Sequence, residues 1–437
     1  MYVSHFLLSI FSACCLILGL PPISLFPLAW FAWFPLFFIL FSPKCHAGSL
    51  IFNTFICGLI YYSAVLKWLI PLGLSLYSVS VLTLAALFPL FFGLLYAIGR
   101  MTKNQASQCF IAPLLWFGIM NLLSVSPLGY LPFEVPFYGP VMFHQASSFG
   151  GYWLLPVLIL GTGASLGYFF HERNFIRFLL VVTFASGLGY LGWWGSERIA
   201  AEDAKQPLKL ALIQHNIKPK TAWNETSLIE VRSAYREFAM MAARLNSSLI
   251  VFPSFTLPER ELKNTDTLGE ISSLVGLPLL FAVHLERKDK AGSNSPLSSV
   301  FFYSMAGKLA ASFKEEPRES DYFSYLKLRK GPSRLIENEG VKMGVLIHFE
   351  DMHSGPAKQA GKEGAQILII FPDSSLMKSA HLAALLLIQD QLRAIETGLP
   401  VARLSSSGPS AYISATGRIM KKTGLNEEAI LIADFDS

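Results

Sequence analysis

The sequence predicts an α-helical membrane bundle followed by a layered α/β domain. Residues 1–195 contain only eight charged side chains, whereas the remaining 242 residues contain the other 57. Because a charge near the middle of a bilayer costs several kcal/mol, a segment so poor in charge is suited to lipid. Residues 208–437 instead alternate short apolar runs with amphipathic segments, which is typical of strands and helices packed in layers. A polar linker is predicted at 196–207.

Seven apolar stretches in the first region approach the ~20 residues that a helix needs to cross a bilayer. They lie at about 6–20, 25–42, 49–71, 77–99, 108–123, 148–170 and 175–194. The loops after the second, fourth and sixth stretches contain Lys44, Arg100, Lys103 and Arg173. Since short basic loops stay in the cytoplasm, the N-terminus is predicted inside and the second region outside. An error of one span would reverse this orientation, and a signal peptide remains the alternative for the first stretch.

Composition narrows the kinds of site that we expect. The net charge of +5 is too small and too scattered to indicate nucleic-acid binding. All five cysteines precede residue 110, and no Cys/His spacing typical of zinc occurs, so we predict neither a metal nor a cofactor. Gly161, Gly163 and Gly187 are explained better by close helix packing than by a phosphate-binding loop.

The second region is predicted to contain strands, with helices between them, and to place polar residues where strands end. Helices are predicted at 226–245, 264–275 and 377–397. Strands are predicted at 208–217, 248–254, 278–285, 299–305, 308–314, 342–351, 365–373, 399–405, 410–415 and 428–434. The polar residues at strand ends are Ser254, Lys314, His348–Glu350 and Asp373. Ligand sites of open α/β sheets usually form at such ends.

Several segments, in this order, resemble the apolipoprotein N-acyltransferase family. They are LPPISLFPLAWFAWFPL, LALIQHNI, IVFPSFTLP, GVLIHFEDM and LRAIETGLPVARLSSSGPSAYISATGRI. The resemblance implies a bundle in the bacterial inner membrane and a periplasmic nitrilase-type (carbon-nitrogen hydrolase) domain, which is an αββα sandwich. It also implies two partners, a phospholipid acyl donor and a diacylglyceryl-lipoprotein.

In that family a cysteine takes an acyl chain as a thioester and passes it to the lipoprotein amine, a use of the thiolate as both nucleophile and leaving group. A glutamate acts as base, a lysine stabilises the oxyanion and a second glutamate assists. The resemblance places Ser254 at the position of the base, His348 at that of the nucleophile and Lys314 at that of the lysine. Glu350 matches an acid two positions after the nucleophile, and Asp321 or Glu319 is the candidate for the second glutamate.

Three functional hypotheses remain open. In the first, the chain keeps the fold and the lipid-binding surfaces but cannot use the thioester mechanism. In the second, Ser254, His348 and Glu350 form a Ser–His–acid arrangement with Lys314 as oxyanion partner, giving an acyltransferase or a lipid acyl hydrolase. In the third, the chain is a non-catalytic membrane scaffold. His215, in the first strand, either narrows the pocket or is a packed core histidine.

Overall fold

The computed structural model of the chain consists of two compact units, Met1–Ala201 and Glu202–Ser437. The structure describes residues 2–21, 23–102, 104–124, 139–149, 154–171, 173–200, 208–217, 225–253, 267–288, 294–303, 309–315, 335–372 and 380–435. All statements below concern these residues.

The first unit is helical. Its helices are α1 (Tyr2–Leu18), α2 (Phe26–Phe31), α3 (Trp33–Phe41), α4 (Ala47–Val65), α5 (Leu74–Ala85), α6 (Leu87–Thr102), α7 (Gln105–Ser124), α8 (Val141–His144), α9 (Leu154–His171) and α10 (Phe175–Ala200). Short 3₁₀ helices cover Leu66–Leu72 and Gln145–Phe149. Within the described part, five helical stretches are long and apolar enough to cross a membrane, and two shorter apolar ones cover Val3–Leu18 and Phe26–Phe41. Helix α10 continues through 196–200, residues that the sequence assigned to the linker.

Two of the expected spans are interrupted, and proline explains both interruptions. Helix α2 ends at Phe31 and α5 ends at Ala85, in each case four residues before a proline. Pro35 and Pro89 have no N–H for the carbonyl group four residues earlier, so the helical hydrogen-bond ladder is broken at that point. The helix restarts one residue further on, which leaves Ala32 and Ala86 as the joints.

Glycines in the bundle mark places of close helix packing, as the sequence predicts. A Cβ added at Gly161 would lie 2.2 Å from a ring carbon of Phe184, and one at Gly187 would lie 2.9 Å from a methyl carbon of Leu158. At Gly163 the nearest atom would be the Trp33 Cβ, at 3.0 Å. These distances leave no room for a side chain, so small residues let the helix backbones approach.

Aromatic rings fill the interior of the bundle. The Trp33 ring on α3 is fully buried and stacks on Phe88 with 5.4 Å between centroids. It also meets Trp116 edge to face at 5.1 Å. Such pairs add to the packing of helices that have no hydrophobic driving force between them in lipid. Arg177 is accommodated because its guanidinium lies 3.9 Å from the Tyr168 ring centroid and donates to the Tyr168 carbonyl oxygen.

The second unit contains twelve strands and four helices in its described parts. The strands are β1 (Lys209–Gln214), β2 (Leu249–Phe252), β3 (Leu279–Lys288), β4 (Asn294–Tyr303), β5 (Leu309–Glu315), β6 (Leu335–Asn338), β7 (Val341–Ile347), β8 (Ile367–Phe371), β9 (Val401–Arg403), β10 (Ala411–Ile413), β11 (Ile419–Lys422) and β12 (Ala429–Asp434). The helices are α11 (Glu225–Arg244), α12 (Thr267–Val275), α13 (Ser354–Lys362) and α14 (Ala380–Thr397). A 3₁₀ turn, His348–Met352, follows β7 directly.

The strands form two six-stranded sheets, ordered β12-β1-β2-β3-β4-β5 and β11-β10-β9-β8-β7-β6. Parallel strands lie at the centre of each sheet, β1-β2-β3 in one and β7-β8-β9 in the other, and antiparallel strands complete the edges. The sequence missed β6 and β11, which have four residues each.

The side chains of β1 show how the layers are built. Leu210 and Leu212 belong to one buried cluster with Met343 of β7 and Ile369 of β8, so the two sheets pack face to face. Alternate residues of the same strand, such as Ile213, join a different cluster with α11. This period of two directs one face of the strand to the opposite sheet and the other to a helix. A third cluster joins α13 and α14 to the second sheet, which completes the predicted αββα sandwich.

Candidate functional site

The structure brings two of the four predicted site residues into one turn. His348 is the first residue of the 3₁₀ turn after β7, and Glu350 is the third. Lys314 is the penultimate residue of β5 and pairs with Ser298 of the neighbouring strand β4. Both strands belong to the sheet that does not contain β7. Ser254 lies outside the described residues, as do Asp373, Glu319 and Asp321. The assembled Ser–His–acid arrangement with Lys314 therefore stays a prediction.

The side-chain carboxylate of Glu350 forms a hydrogen bond within the turn that contains it. Its Oε2 atom accepts a hydrogen bond of 2.9 Å from the Ile347 backbone N–H, and the residue is 3% exposed. A buried carboxylate that accepts a backbone N–H fixes the local chain direction, as it does at a helix N-terminus. Glu350 thus stabilises the turn that begins at His348, directly after β7.

A buried ionic cluster lies next to this turn, and the sequence analysis did not predict it. The Arg403 Nη1 atom contacts the Oδ2 atom of Asp390 in a short ion pair and lies 3.5 Å from the Oδ2 atom of Asp351. Arg393 donates from Nη1 to the Asp351 carbonyl oxygen at 3.1 Å, and its Nε atom lies 3.0 Å from a Glu396 carboxylate oxygen. Each of these side chains is at most 1% exposed.

The acids of the ionic cluster are perturbed by burial and by each other. Burial raises the pKa of Asp351 well above its ordinary value, and the neighbouring Asp390 carboxyl raises it further. Burial also raises the pKa of Asp390, while the charge and hydrogen bond of Arg403 oppose that rise. A sequence signal for the cluster does exist. Asp390, Arg393 and Glu396 recur every three residues on a helix that has no other Asp, Glu, Lys or Arg, and this spacing puts them on adjoining parts of its surface.

Gln214, at the end of β1, joins β1 by hydrogen bonds to residues on either side of the β10–β11 hairpin. Its Nε2 atom donates to the carbonyl oxygens of Gly424 at 2.9 Å and Glu427 at 3.0 Å. Its Oε1 atom accepts from the backbone N–H and the hydroxyl of Ser410 and from the Thr423 hydroxyl. The side chain is fully buried, and the five hydrogen bonds use both ends of its amide.

His215 is a packed core residue. It is 1% exposed, and its ring centroid lies 5.6 Å from that of Tyr235 on α11. The Nδ1 atom accepts a hydrogen bond of 2.9 Å from the Ile217 backbone N–H. Burial lowers the pKa of His215 to about 3, so the ring is neutral at physiological pH. Of the two alternatives for this residue, its contacts support the packed core histidine.

The second unit holds no thiol. The five cysteines of the chain are Cys14, Cys15, Cys45, Cys57 and Cys109, all in the first unit. The segment that follows β7 begins with His348. Across the described ranges, no group of three His, Cys, Asp or Glu residues could hold a metal ion.

Comparison with sequence families finds two matches that together cover most of the chain. Residues 209–437 match the carbon-nitrogen hydrolase family, and residues 12–165 match the apolipoprotein N-acyltransferase N-terminal domain. The chain is 24% identical to an apolipoprotein N-acyltransferase of Allorhizobium ampelinum over 84% of its own length and 74% of that protein. It is 22% identical to the enzyme of the same name from Geobacter metallireducens, over 98% and 88% of the two chains.

Two solved structures are also similar to part of this chain. A carbon-nitrogen hydrolase of Helicobacter pylori aligns with a TM-score of 0.41 and 15% identity, over 52% of this chain and 88% of that one. An amidase of Nesterenkonia sp. aligns with a TM-score of 0.38 and 16% identity, over 54% and 92% of the two chains.

Proposed function

Because this chain belongs to the apolipoprotein N-acyltransferase family, we propose that it binds the lipid substrates of that family without using the cysteine thioester mechanism. The substrates would be a phospholipid and a diacylglyceryl-lipoprotein. One observation carries the proposal: no cysteine follows Cys109 anywhere in the sequence. An alignment error within the second unit cannot supply the missing thiol.

The two substituted positions remove different parts of the chemistry. The thioester mechanism needs a thiolate that attacks the ester carbonyl and later leaves when an amine attacks. At the position of that thiol the chain has His348, and at the position of the base it has Ser254. A serine hydroxyl is not a proton acceptor near neutral pH, so it does not replace a carboxylate base. Lys314 alone would polarise a carbonyl group without a partner to attack it.

The proposed location is the bacterial inner membrane, with the second unit in the periplasm. The apolar helices of the first unit support a membrane protein. Lys44 follows α3, Arg100 lies in the last turn of α6 and Arg173 follows α9, so the basic residues recur on one side when each of the seven predicted stretches crosses once. On this count the N-terminus is cytoplasmic and the second unit is periplasmic.

Genetic complementation tests the catalytic part of the proposal. The chain would be expressed in a strain depleted of its own apolipoprotein N-acyltransferase, with an intact enzyme as positive control and immunoblotting to confirm expression. We expect no rescue of growth and no third acyl chain on a reporter lipoprotein. Rescue by the native chain that is lost in a Ser254→Ala, His348→Ala double variant would instead support the Ser254–His348–Glu350 arrangement.

A lipid-binding assay tests the other part of the proposal, that the chain binds the lipid substrates of the family. Purified chain in nanodiscs would be titrated with a fluorescent diacylated lipopeptide, and a monoacylated lipopeptide would serve as the matched control. We expect saturable binding that prefers two acyl chains. Equal, non-saturating signals for both peptides would contradict the proposal and favour the membrane-scaffold hypothesis.

A further inference from the structure

The buried ionic cluster joins three separate elements of the second unit. Asp351 belongs to the His348–Met352 turn, Asp390 and Arg393 belong to α14, and Arg403 ends β9. Arg403 contacts both aspartates, and Arg393 holds the backbone of the turn through the Asp351 carbonyl oxygen. The position of the turn is therefore tied to these charges.

The groups in contact do not balance if all of them are ionised. Arg393 and Arg403 supply two positive charges, whereas Asp351, Asp390 and Glu396 would supply three negative ones. An uncompensated charge in a fully buried site is costly, and an acid in that situation is neutralised by binding a proton. The distances to Arg403 indicate which of the two aspartates binds this proton. The ion pair with Arg403 is shorter for Asp390 than for Asp351, so Asp390 keeps its charge.

The unused oxygens of the two aspartates support the same arrangement. Neither Asp351 Oδ1 nor Asp390 Oδ1 has a hydrogen-bond donor among the residues that the structure describes. The two carboxyl groups are nevertheless neighbours, because the Oδ2 atom of each contacts the same Nη1 atom of Arg403. Two carboxyl groups can form a hydrogen bond only when one of them carries a proton, because an ionised carboxylate only accepts.

We propose that Asp351 and Asp390 share one proton beside Arg403, and that this neutral-plus-anionic acid pair positions the His348–Met352 turn. In this pair Asp351 carries the proton and donates it in a hydrogen bond to ionised Asp390. The direction of the pKa of Asp351, raised by burial and by Asp390, agrees with this assignment. Asp351 and Asp390 are positioning residues, because they act on His348 only through the turn.

Among the described residues, the other charged or titratable groups on the surrounding elements are few, and α14 itself adds His381 and Glu396. On the turn itself Glu350 engages the Ile347 N–H, and His353 follows it. Helix α13 contributes Lys358 and Lys362, β7 contributes Lys342, and the described strand β8 has no charged side chain. Lys362 and Lys342 are exposed to solvent. The acid pair thus interacts mainly with the two arginines, whose charge does not change over the accessible pH range.

Two variants of Asp351 distinguish the effect of the shared proton from the effect of side-chain packing. Asp351→Asn keeps the shape and a donor to Asp390 but has no proton to lose, whereas Asp351→Leu removes the hydrogen bond. Glu337→Gln, at an exposed acid on β6, is the matched control. The full chain would be purified in detergent. Its infrared spectrum at pH 7 would be searched for the carbonyl band of a protonated carboxylic acid, and its thermal unfolding would be measured between pH 5 and pH 9.

We expect the native chain to show the acid band and Asp351→Asn to lose it. Because the proton is bound in the folded chain and released on unfolding, the Tm of the native chain should fall by about 3–5 °C per pH unit until the folded pKa is passed. Asp351→Asn should remove that slope, while Glu337→Gln should keep it. Amide hydrogen exchange in the turn should rise in Asp351→Leu and stay unchanged in Asp351→Asn.

An acid band that persists in Asp351→Asn, or an unchanged pH slope in that variant, would overturn the proposal. If Asp351→Leu fails to fold, the infrared and pH measurements on Asp351→Asn decide alone. The inference rests on the proposed function in one respect only, namely that the His348–Met352 turn lies near the bound lipid. None of these measurements needs bound lipid or acyl transfer, so its failure is distinguishable from failure of the proposed function.

Discussion

Replacement of Gln214 by alanine should destabilise the second unit more than any surface glutamine would. The side chain makes five hydrogen bonds from a fully buried position. The groups that donate to its Oε1 atom keep a hydrogen bond in the variant, because the Ser410 N–H also donates to the Thr423 hydroxyl oxygen. The carbonyl oxygens of Gly424 and Glu427 lose the donor that joins them to β1.

The magnitude follows from these two carbonyl groups. An unsatisfied buried acceptor costs about 1–3 kcal/mol, and the lower half of that range applies because Gly424 and Glu427 are themselves exposed residues. With the lost packing of the side chain, we expect the free energy of unfolding to fall by about 2–4 kcal/mol, which corresponds to a Tm lower by about 5–15 °C. Gln359→Ala is the control, because this exposed glutamine on α13 makes one side-chain bond, to Glu363. Its effect should stay within about 0.5 kcal/mol.

Gln214→Glu sharpens the test, because it keeps the shape and removes the donor. At neutral pH one carboxylate oxygen would face the carbonyl oxygens of Gly424 and Glu427, so the side chain should bind a proton more strongly when folded than when unfolded. The stability of this variant should therefore fall as pH rises above about 4. Thermal unfolding of the purified full chain, followed by protease resistance of the second unit, measures all three variants. Equal Tm values for Gln214→Ala and Gln359→Ala would refute the reasoning.

Three further predictions follow from the same geometry. Gly167→Ala should destabilise the bundle by about 1–3 kcal/mol because its Cβ would lie 2.8 Å from backbone, whereas Gly93→Ala, with open space, should be neutral or stabilising in detergent unfolding. Native stability should decrease as pH falls from about 6.5 towards 3, since His215 is neutral in the folded chain, and His215→Asn should reduce that decrease in the same unfolding assay. The Ser254→Glu, His348→Cys double variant should gain a thioester-linked acyl chain, detected by labelled phospholipid; no label on well-folded variant would count against the alignment.

Much of the fold could be predicted because it depends on local patterns. The apolar run of β1 and the helical period of 226–245 are visible in the sequence, and the structure places β1 at Lys209–Gln214 and α11 at Glu225–Arg244. The strand β11 could not be predicted, since only Ile419 of its four residues is half-buried and the other three are exposed, so buried and exposed positions do not alternate. Its place is set by antiparallel pairing with β10, which precedes it in the chain by only a few residues, and the residues of β11 carry no strand pattern of their own.

The candidate site was less predictable than the fold. The sequence predicted His348 and Glu350 at the end of a strand over 342–351, whereas the structure ends β7 at Ile347 and places both residues in the 3₁₀ turn that follows. The buried ionic cluster was missed because Arg403 and Asp351 are 52 residues apart and meet only when β9 lies beside the turn. Burial of charge depends on such tertiary contacts, and a charged residue in a sequence is most often exposed.

Acyl-enzyme trapping tests the central claim most directly. The purified full chain would be incubated in phospholipid vesicles that carry a radiolabelled acyl chain, then denatured and treated with neutral hydroxylamine, which cleaves thioesters faster than oxygen esters. The account predicts that the native chain acquires no hydroxylamine-labile label, because the second unit has no thiol. A hydroxylamine-labile label on the native chain would contradict it.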